Sequence, residues 1–254
     1  MRSSARKPLT ALAALLFWTA LWALLARSVG QELLLPSPLQ VLRRLLALAA
    51  TVDFWSSTAW SILRVLAGIV CGTLLGVLLA ALTEWSALAR TLLAPVMTLV
   101  KSTPVASFII LALVWLGRNT VPPVITGLMV LPVVWSNVSA GIAGRDVQLL
   151  ELARVYRMPR GRVLRRITVP SVLPHFRAAL RSALGLGWKA GIAAEVLTVP
   201  QRAVGRRIFE SKLYLETTEL FAWTLTVIVL SLCIERLLLR LVSRIGRRGG
   251  AADA

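Results

Sequence analysis

A short, strongly basic segment is the part of this sequence best suited to bind a partner. It runs from Glu151 to Pro170 and contains six arginines. The residue before a proline avoids helical geometry, so a first helix is predicted to end near Arg157 or Met158. Pro159 suits the first position of a second helix, which Pro170 is predicted to stop. Such an arginine-rich helical hairpin either docks into another protein or rests on anionic lipid headgroups.

Polar side chains inside long apolar runs form a second group of candidates. Lys189 and Glu195 lie six residues apart, on different faces of a helix. A charge at membrane depth is costly, so each either lines a solute path or is satisfied elsewhere. Lys189 would then reach the interface, and Glu195 would bond a neighbouring helix. Ser136 and Asn137 are also predicted either to line the path or to hydrogen-bond across packed helices.

Three polar residues, Lys101, Ser102 and Thr103, stand directly before Pro104 in an otherwise apolar region. The proline predicts a break in the helix at this point. Irregular backbone at membrane depth must line a cavity or be buried in protein. The three residues are therefore predicted to line a translocation path.

Residue types that carry covalent chemistry or bind metals are scarce. His175 is the single histidine, and Cys71 and Cys233 lie inside apolar stretches, where they are predicted to be inert packing residues. The apolar runs contain no Asp pair or His cluster of the kind a membrane-embedded enzyme needs. A phosphate-binding Gly-x-x-x-x-Gly-Lys-Ser/Thr loop is also absent from the sequence. The chain is therefore predicted to be no enzyme and to bind neither metal nor cofactor.

The composition predicts an integral membrane protein. Of 254 residues, 57% are hydrophobic and the mean hydropathy is +0.76. Lys and Arg number 29 against 11 Asp and Glu, a net charge of +18. Such an excess is typical of nucleic-acid-binding proteins or of membrane proteins with basic cytoplasmic loops. Because the charge lies between long apolar runs, the membrane interpretation is favoured and nucleic-acid binding is not expected.

Six membrane spans, and hence an all-α fold, are predicted from apolar runs of about 20 residues. They cover residues 8–26, 60–83, 91–117 with breaks, 121–143, 182–199 and 220–241. The first run follows three positive charges, so a cleaved signal peptide is the alternative to a retained helix. Between the first two spans, residues 39–50 place apolar side chains at helical spacing, which predicts a helix lying in the membrane interface.

The distribution of arginine predicts the orientation of the chain. Residues 145–181 contain nine Arg against one Asp and one Glu, and both termini are also basic. With six spans these three regions share one side, which the positive-inside rule predicts to be cytoplasmic. The predicted divisions are an N-terminal span (1–34), an interfacial segment (35–59), a core (60–241) that includes a loop at about 144–181, and a basic tail (242–254).

The basic loop resembles the EAA loop of permeases from binding-protein-dependent importers. Glu151 and Ala153 match the first and third positions of that motif, and Ile167, Val169 and Pro170 match its end at the right spacing. The chain departs from the motif at Arg157, which stands where the family has Gly. Pro159 and Gly161 lie in the turn that follows, and Pro159 is expected to replace the missing glycine in shaping that turn.

Two further stretches resemble the nitrate, sulfonate and taurine branch of these permeases. Residues 101–117 are similar to its Arg-Pro-x-Pro…Trp-x-Gly stretch, and residues 35–38 followed by 61–68 are similar to another of its patterns. The resemblance implies an ABC-importer permease in the bacterial inner membrane. It implies coupling to ATPase subunits through Glu151, Ala153, Arg157, Pro159, Gly161 and Pro170.

The implied partners are two cytoplasmic ATPases, which would hold ATP and Mg, an extracytoplasmic solute-binding protein, and a second permease subunit, expected to be an identical copy. The implied solute is a sulfonate, taurine, nitrate or a related small molecule. Two other functions stay open: the coupling subunit of an energy-coupling-factor vitamin importer, and a membrane-embedded enzyme. Co-purification with an ATPase pair and a binding protein distinguishes the first function from both.

Overall fold

The computed structural model describes residues 6–248, and every regular element within them is helical. In chain order the helices are α1 (Arg6–Val29), α2 (Pro38–Ala49), α3 (Val52–Trp85), α4 (Ala87–Ser102), α5 (Val105–Trp115), α6 (Val121–Ala143), α7 (Val147–Val155), α8 (Arg160–Val163), α9 (Val169–Thr198), α10 (Val204–Leu213) and α11 (Thr217–Arg248). One turn of π-helix, Leu164–Thr168, joins α8 to α9. The all-α prediction is confirmed. Arg2 and residues 249–254 of the predicted basic tail lie outside the described residues.

Small residues build the central core, in which α3, α6 and α9 pack together. Gly68, Gly72 and Gly76 recur every fourth residue along α3 and face α6. A Cβ added at Gly72 would lie 2.5 Å from the carbonyl oxygen of Gly127. Lipid is as apolar as a buried side chain, so membrane helices associate through such close backbone contact. The core is therefore sensitive to the addition of a single methyl group.

A Gly72→Ala variant is expected to destabilise this core. The new Cβ meets backbone atoms, which cannot move aside as a side chain can, and overpacking of this kind costs about 1–3 kcal/mol. Thermal unfolding in detergent should show a midpoint lower by about 4 °C or more. Gly185→Ala in α9 is the matched control, because a Cβ there meets nothing within 4 Å. Equal midpoints for the two variants would contradict this account of the core.

Within the described residues, four helices are long and apolar enough to cross a membrane by themselves, over Leu12–Val29, Val52–Trp85, Val121–Ala143 and Thr217–Leu237. The helices α4 and α5 are bent by 107° relative to each other, so the pair is either a broken fifth span or a re-entrant loop. The break predicted before Pro104 is therefore present. The span predicted over residues 121–143 has the same ends as α6.

The span predicted over residues 182–199 is part of α9, whose apolar content is too low for it to count as a span by itself. Its small and apolar residues, among them Ala183 and Ala194, are buried by neighbouring helices. A helix surrounded by protein needs no continuous apolar surface, because its polar side chains are satisfied within the fold. The described residues thus contain four spans, or five with the α4–α5 pair, and a sixth span through α9 stays a prediction.

The helix predicted over residues 39–50 is present as α2, and its place in the membrane interface stays a prediction. Ser37 caps it: its hydroxyl accepts from the Gln40 N–H, and the Gln40 side chain accepts from the Ser37 N–H at 2.8 Å. One face, including Val41, is buried in the protein, while Leu42 and Leu46 point outward. An outward apolar face on a short helix is typical of an element lying in the membrane interface.

Candidate functional site

The basic loop begins with a short helix, α7, that ends in a tight turn, as predicted. The Asp146 side chain begins α7 by accepting from the Gln148 N–H at 2.8 Å. The helix ends at Val155, close to the predicted end. The Met158 N–H then donates to the Ala153 carbonyl at 2.8 Å, and the Arg157 N–H to that of Arg154 at 3.0 Å. This pair of bonds is a Schellman cap.

Arg157 itself makes the turn, because its φ is +47°. A Schellman cap needs one residue in the left-handed region, which glycine enters without strain. Arg157 therefore has the backbone conformation that favours glycine, at the position where the resembling family has Gly. The expectation that Pro159 replaces the glycine is wrong. Pro159 is extended and lies just before α8, not at its first position.

The prediction that Pro170 ends the second helix is also wrong. The chain continues without interruption from α8 through the π-helical turn into α9, and Pro170 lies in the first turn of α9. Proline lacks an N–H, so it is tolerated where the backbone hydrogen bonds are rearranged. Here the Val169 N–H donates to the Leu164 carbonyl across the wider π-turn. A continuous helical segment thus leads from the basic loop directly into the core helix α9.

Side-chain exposure along α7 separates two predicted residues. Glu151 is exposed, whereas Ala153 is only 5% exposed and is already packed within its own chain. Pro159, Gly161 and Pro170 are exposed. Of the predicted coupling residues, only Ala153 is therefore buried, and the others are exposed.

An exposed apolar face on α7 was missed by the sequence reasoning. We call it the docking face; its members are Leu149, Leu152, Val155 and Tyr156. Val155 is 77% exposed and Tyr156 is 71% exposed. Their spacing of three and four residues was visible in the sequence as one helical stripe. Contiguous exposed apolar side chains, rimmed by arginines, are typical of a surface that contacts either a protein partner or the membrane.

The arginines around the docking face are unpaired within the part of the chain that the structure describes. The seven ion pairs found there involve none of Arg154, Arg157, Arg160, Arg162, Arg165 and Arg166. All six are exposed. Their charge is therefore available to a partner surface.

The break between α4 and α5 holds three predicted path residues. Lys101 and Ser102 are exposed, and Thr103 is half-buried. The Ser102 and Thr103 hydroxyls donate to the Leu99 carbonyl at 3.1 and 2.8 Å. Their side chains therefore satisfy the backbone at the helix end, and the Lys101 ammonium projects free of any ion pair in the described residues.

Lys189 lies on the exposed stripe of α9, together with Leu186 and Leu197. The next residue, Ala190, packs in one hydrophobic cluster with Val100, the neighbour of Lys101. The two lysines thus flank the same cluster, although 88 positions separate them in the sequence. Each lysine is therefore next in sequence to a buried member of this cluster, and neither takes part in an ion pair found in the described residues.

Ser136 and Asn137 are half-buried and bond within their own helix. The Ser136 hydroxyl and the Asn137 amide both donate to the Val133 carbonyl, at 3.2 and 2.8 Å. In the part of the chain that the structure describes, neither side chain forms the hydrogen bond to another helix that the sequence analysis considered. Their place in a translocation path stays a prediction.

Glu195 is completely enclosed, with an exposure of 0%. Its carboxylate accepts from the Ser61 hydroxyl at 2.6 Å, from the Gly205 N–H at 3.2 Å, and from the Arg64 guanidinium at 3.4 Å. Arg64 also donates to the carbonyl of Gln201 at 2.6 Å. These contacts join α3, α9 and the start of α10. Glu195 therefore bonds neighbouring helices, which the sequence analysis gave as the alternative to lining a solute path.

Comparison with known proteins agrees with this arrangement. Residues 72–247 match the family described as "Binding-protein-dependent transport system inner membrane component". The chain belongs to this family. The permease is therefore a transport subunit and a multi-pass inner-membrane protein, rather than an enzyme.

Named relatives of the permease are also transporters. A probable ABC transporter permease protein of Brucella melitensis is 30% identical over 207 residues, which are 80% of this chain and 83% of that protein. The taurine transport system permease protein of Escherichia coli is 26% identical over 223 residues, covering 85% and 81%. A solved amino acid ABC transporter shares the fold with a TM-score of 0.60 at 16% identity, over 77% of this chain and 93% of that one.

Proposed function

We propose that the permease forms the translocation path for a small solute that carries an anionic group, such as a sulfonate, taurine, nitrate or a related molecule, delivered by an extracytoplasmic binding protein. The observation that carries this proposal is that Lys101, at the α4–α5 break, and Lys189, on the exposed stripe of α9, are both exposed and form no ion pair in the described residues. Ionisable residues at membrane depth that lack an internal partner face a water-filled path. The taurine transporter among the relatives supports an anionic sulfonate head as the ligand.

Replacement of Lys101 or Lys189 by Met is expected to slow uptake of such an anion about tenfold or more, equivalent to about 1.4 kcal/mol of lost attraction. Uptake is measured in proteoliposomes that contain the permease, its ATPase and its binding protein. Lys212→Met is the matched control, because Lys212 is an exposed lysine on α10, away from the break. Normal anion uptake in both path variants, with the ATPase still bound, would refute the proposed role.

A second permease subunit is needed to close this path, and we expect an identical copy. The exposed stripe of α9 and the α4–α5 break lie on the outside of a single chain, so one chain supplies only one wall. Membrane lipid covers the remaining apolar surface. Cross-linking between single cysteines on the α9 stripe, at Leu186, would capture such a dimer.

The basic loop is proposed to couple this path to two cytoplasmic ATPases, which hold ATP and Mg. Glu151 and the docking face make the contact, and Arg157, through its left-handed turn, sets the angle between α7 and α8. Ala153 packs beneath the turn, and the segment from Pro159 and Gly161 to Pro170 transmits displacement into α9. A rigid rod between a docking helix and a core helix is suited to a rigid-body push.

Both termini and the coupling loop are proposed to face the cytoplasm. In a variant without Cys71 and Cys233, cysteines placed at Gly161 and at Leu215 should react with impermeant reagents from opposite sides. Both positions are exposed, and a side chain at Gly161 meets nothing within 4 Å. Labelling of both cysteines from outside intact cells would rule out this orientation.

A further inference from the structure

One guanidinium joins both ends of the coupling loop to the cytoplasmic end of α3. Arg145 lies between the end of α6 and the start of α7. Its Nη2 donates to the Glu84 carboxylate, its Nε donates to the Ile142 carbonyl at 2.7 Å, and its Nη1 donates to the Thr168 hydroxyl at 3.5 Å. Glu84 belongs to the last turn of α3, and Thr168 is the last residue before α9.

The arrangement closes the loop at its base. Residues 146–167 leave the bundle at Arg145 and return to it at Thr168. The side chain of Arg145 reaches across to the Thr168 hydroxyl. The side chains of Arg145 and Glu84 are each about three-quarters buried, with 22% and 25% exposed. A partly buried, multiply hydrogen-bonded guanidinium is held in a defined geometry because its donors form a rigid fork.

We propose that Arg145 is a positioning residue that makes the coupling loop and the cytoplasmic ends of α3, α6 and α9 move as one body. Without these hydrogen bonds from Arg145, the non-helical junction at residues 144–146 would absorb the displacement of α7. With it, a push on the docking face reaches all three helices of the core. The inference rests on the proposed coupling role of the loop and adds the residue that transmits the movement.

A nearby arginine supplies the control. Arg90 donates to the other oxygen of the Glu84 carboxylate at 3.2 Å and to the Thr83 carbonyl at 3.3 Å, and it is largely exposed. Among the described residues, no hydrogen bond of Arg90 reaches either end of the coupling loop. Arg90→Lys therefore perturbs the same carboxylate without loosening the loop.

The test measures solute taken up per ATP hydrolysed by the complete complex in proteoliposomes, with taurine as the probe if it is transported and otherwise the anion that supports uptake. Arg145→Lys keeps the charge beside Glu84 but cannot reach three partners at once. It should bind the ATPase as the unmodified chain does, yet lower the coupling ratio at least about fivefold. Glu84→Gln should also lower the coupling ratio, but by a smaller factor, because its amide oxygen still accepts from Arg145 without the charge that strengthens the bond. Arg90→Lys should stay within about twofold.

The outcomes separate this inference from the proposed function. An unchanged coupling ratio in Arg145→Lys and in Glu84→Gln overturns the clamp. Loss of the ATPase from Arg145→Lys also overturns it, because Arg145 would then act in docking. If the Arg145→Lys variant does not insert into the membrane, the coupling ratio and the bound ATPase of the Glu84→Gln variant decide between the same outcomes. Failure of the docking role is detected independently, by retention of the ATPase when the docking face carries a charge.

Discussion

A Tyr156→Asp variant is expected to insert normally into the membrane but to lose its partner ATPase and all ATP-driven uptake. Tyr156 is 71% exposed at the end of α7, in a loop otherwise rich in arginine. Tyrosine is enriched among the residues that dominate interface energies, and truncation of such a residue costs about 2–4 kcal/mol. The complex should therefore weaken roughly 30- to 700-fold. Affinity co-purification from detergent measures the bound ATPase.

Tyr214→Asp is an unusually close control for this experiment. The chain has two tyrosines, and Tyr214 is also 71% exposed, at the end of α10. In the proposed orientation it lies on the opposite side of the membrane from the ATPase. A complex that keeps a full complement of ATPase and normal uptake in Tyr156→Asp would refute the docking face and favour a loop that rests on lipid.

The burial of Ala153 affects which variants can test coupling. Asp at this position would disturb the packing beneath the Arg157 turn before it reached any partner. Glu151→Lys is the cleaner second test, because Glu151 is exposed and its reversal leaves the helix intact. It should abolish uptake while the isolated permease keeps its thermal stability.

A Glu195→Ala variant is expected to destabilise the permease by about 3–5 kcal/mol, the range for removal of one partner from a buried ion pair. The Ser61 hydroxyl and the Gly205 N–H would lose their acceptor in a site that water does not reach. Detachment of α10 from α9 should follow. Thermal unfolding in detergent and protease sensitivity near residue 203 report both effects.

Glu195→Gln separates packing from transport. The amide oxygen still accepts a hydrogen bond from Ser61, so a purely structural carboxylate should lose only part of the stability, about 1–2 kcal/mol. If Glu195 instead lined the solute path, both variants would keep their unfolding midpoints and lose uptake. That result would favour a place for Glu195 in the solute path, which its complete burial argues against.

The local architecture could be predicted because it depends on neighbours in the sequence. Apolar run length alone located α6 at residues 121–143 and the interrupted span that contains the α4–α5 break. Proline geometry predicted the division of the coupling loop close to Arg157. The errors at Pro159 and Pro170 arose because a left-handed arginine and a π-turn, two uncommon backbone states, took over the roles assigned to the prolines.

Contacts between distant positions were decided only by the tertiary structure. Ser61 and Glu195 are 134 residues apart, and Glu84 and Arg145 are 61 residues apart, so no local pattern connects them. Likewise, α9 is not apolar enough to identify itself as a core helix, since its place depends on burial by α3 and α6. The sequence by itself determined a helical membrane protein with a basic two-helix loop, because hydropathy, charge and proline act locally. Which charges are paired and which stay free was decided by helix packing, because pairing depends on which faces of distant helices meet.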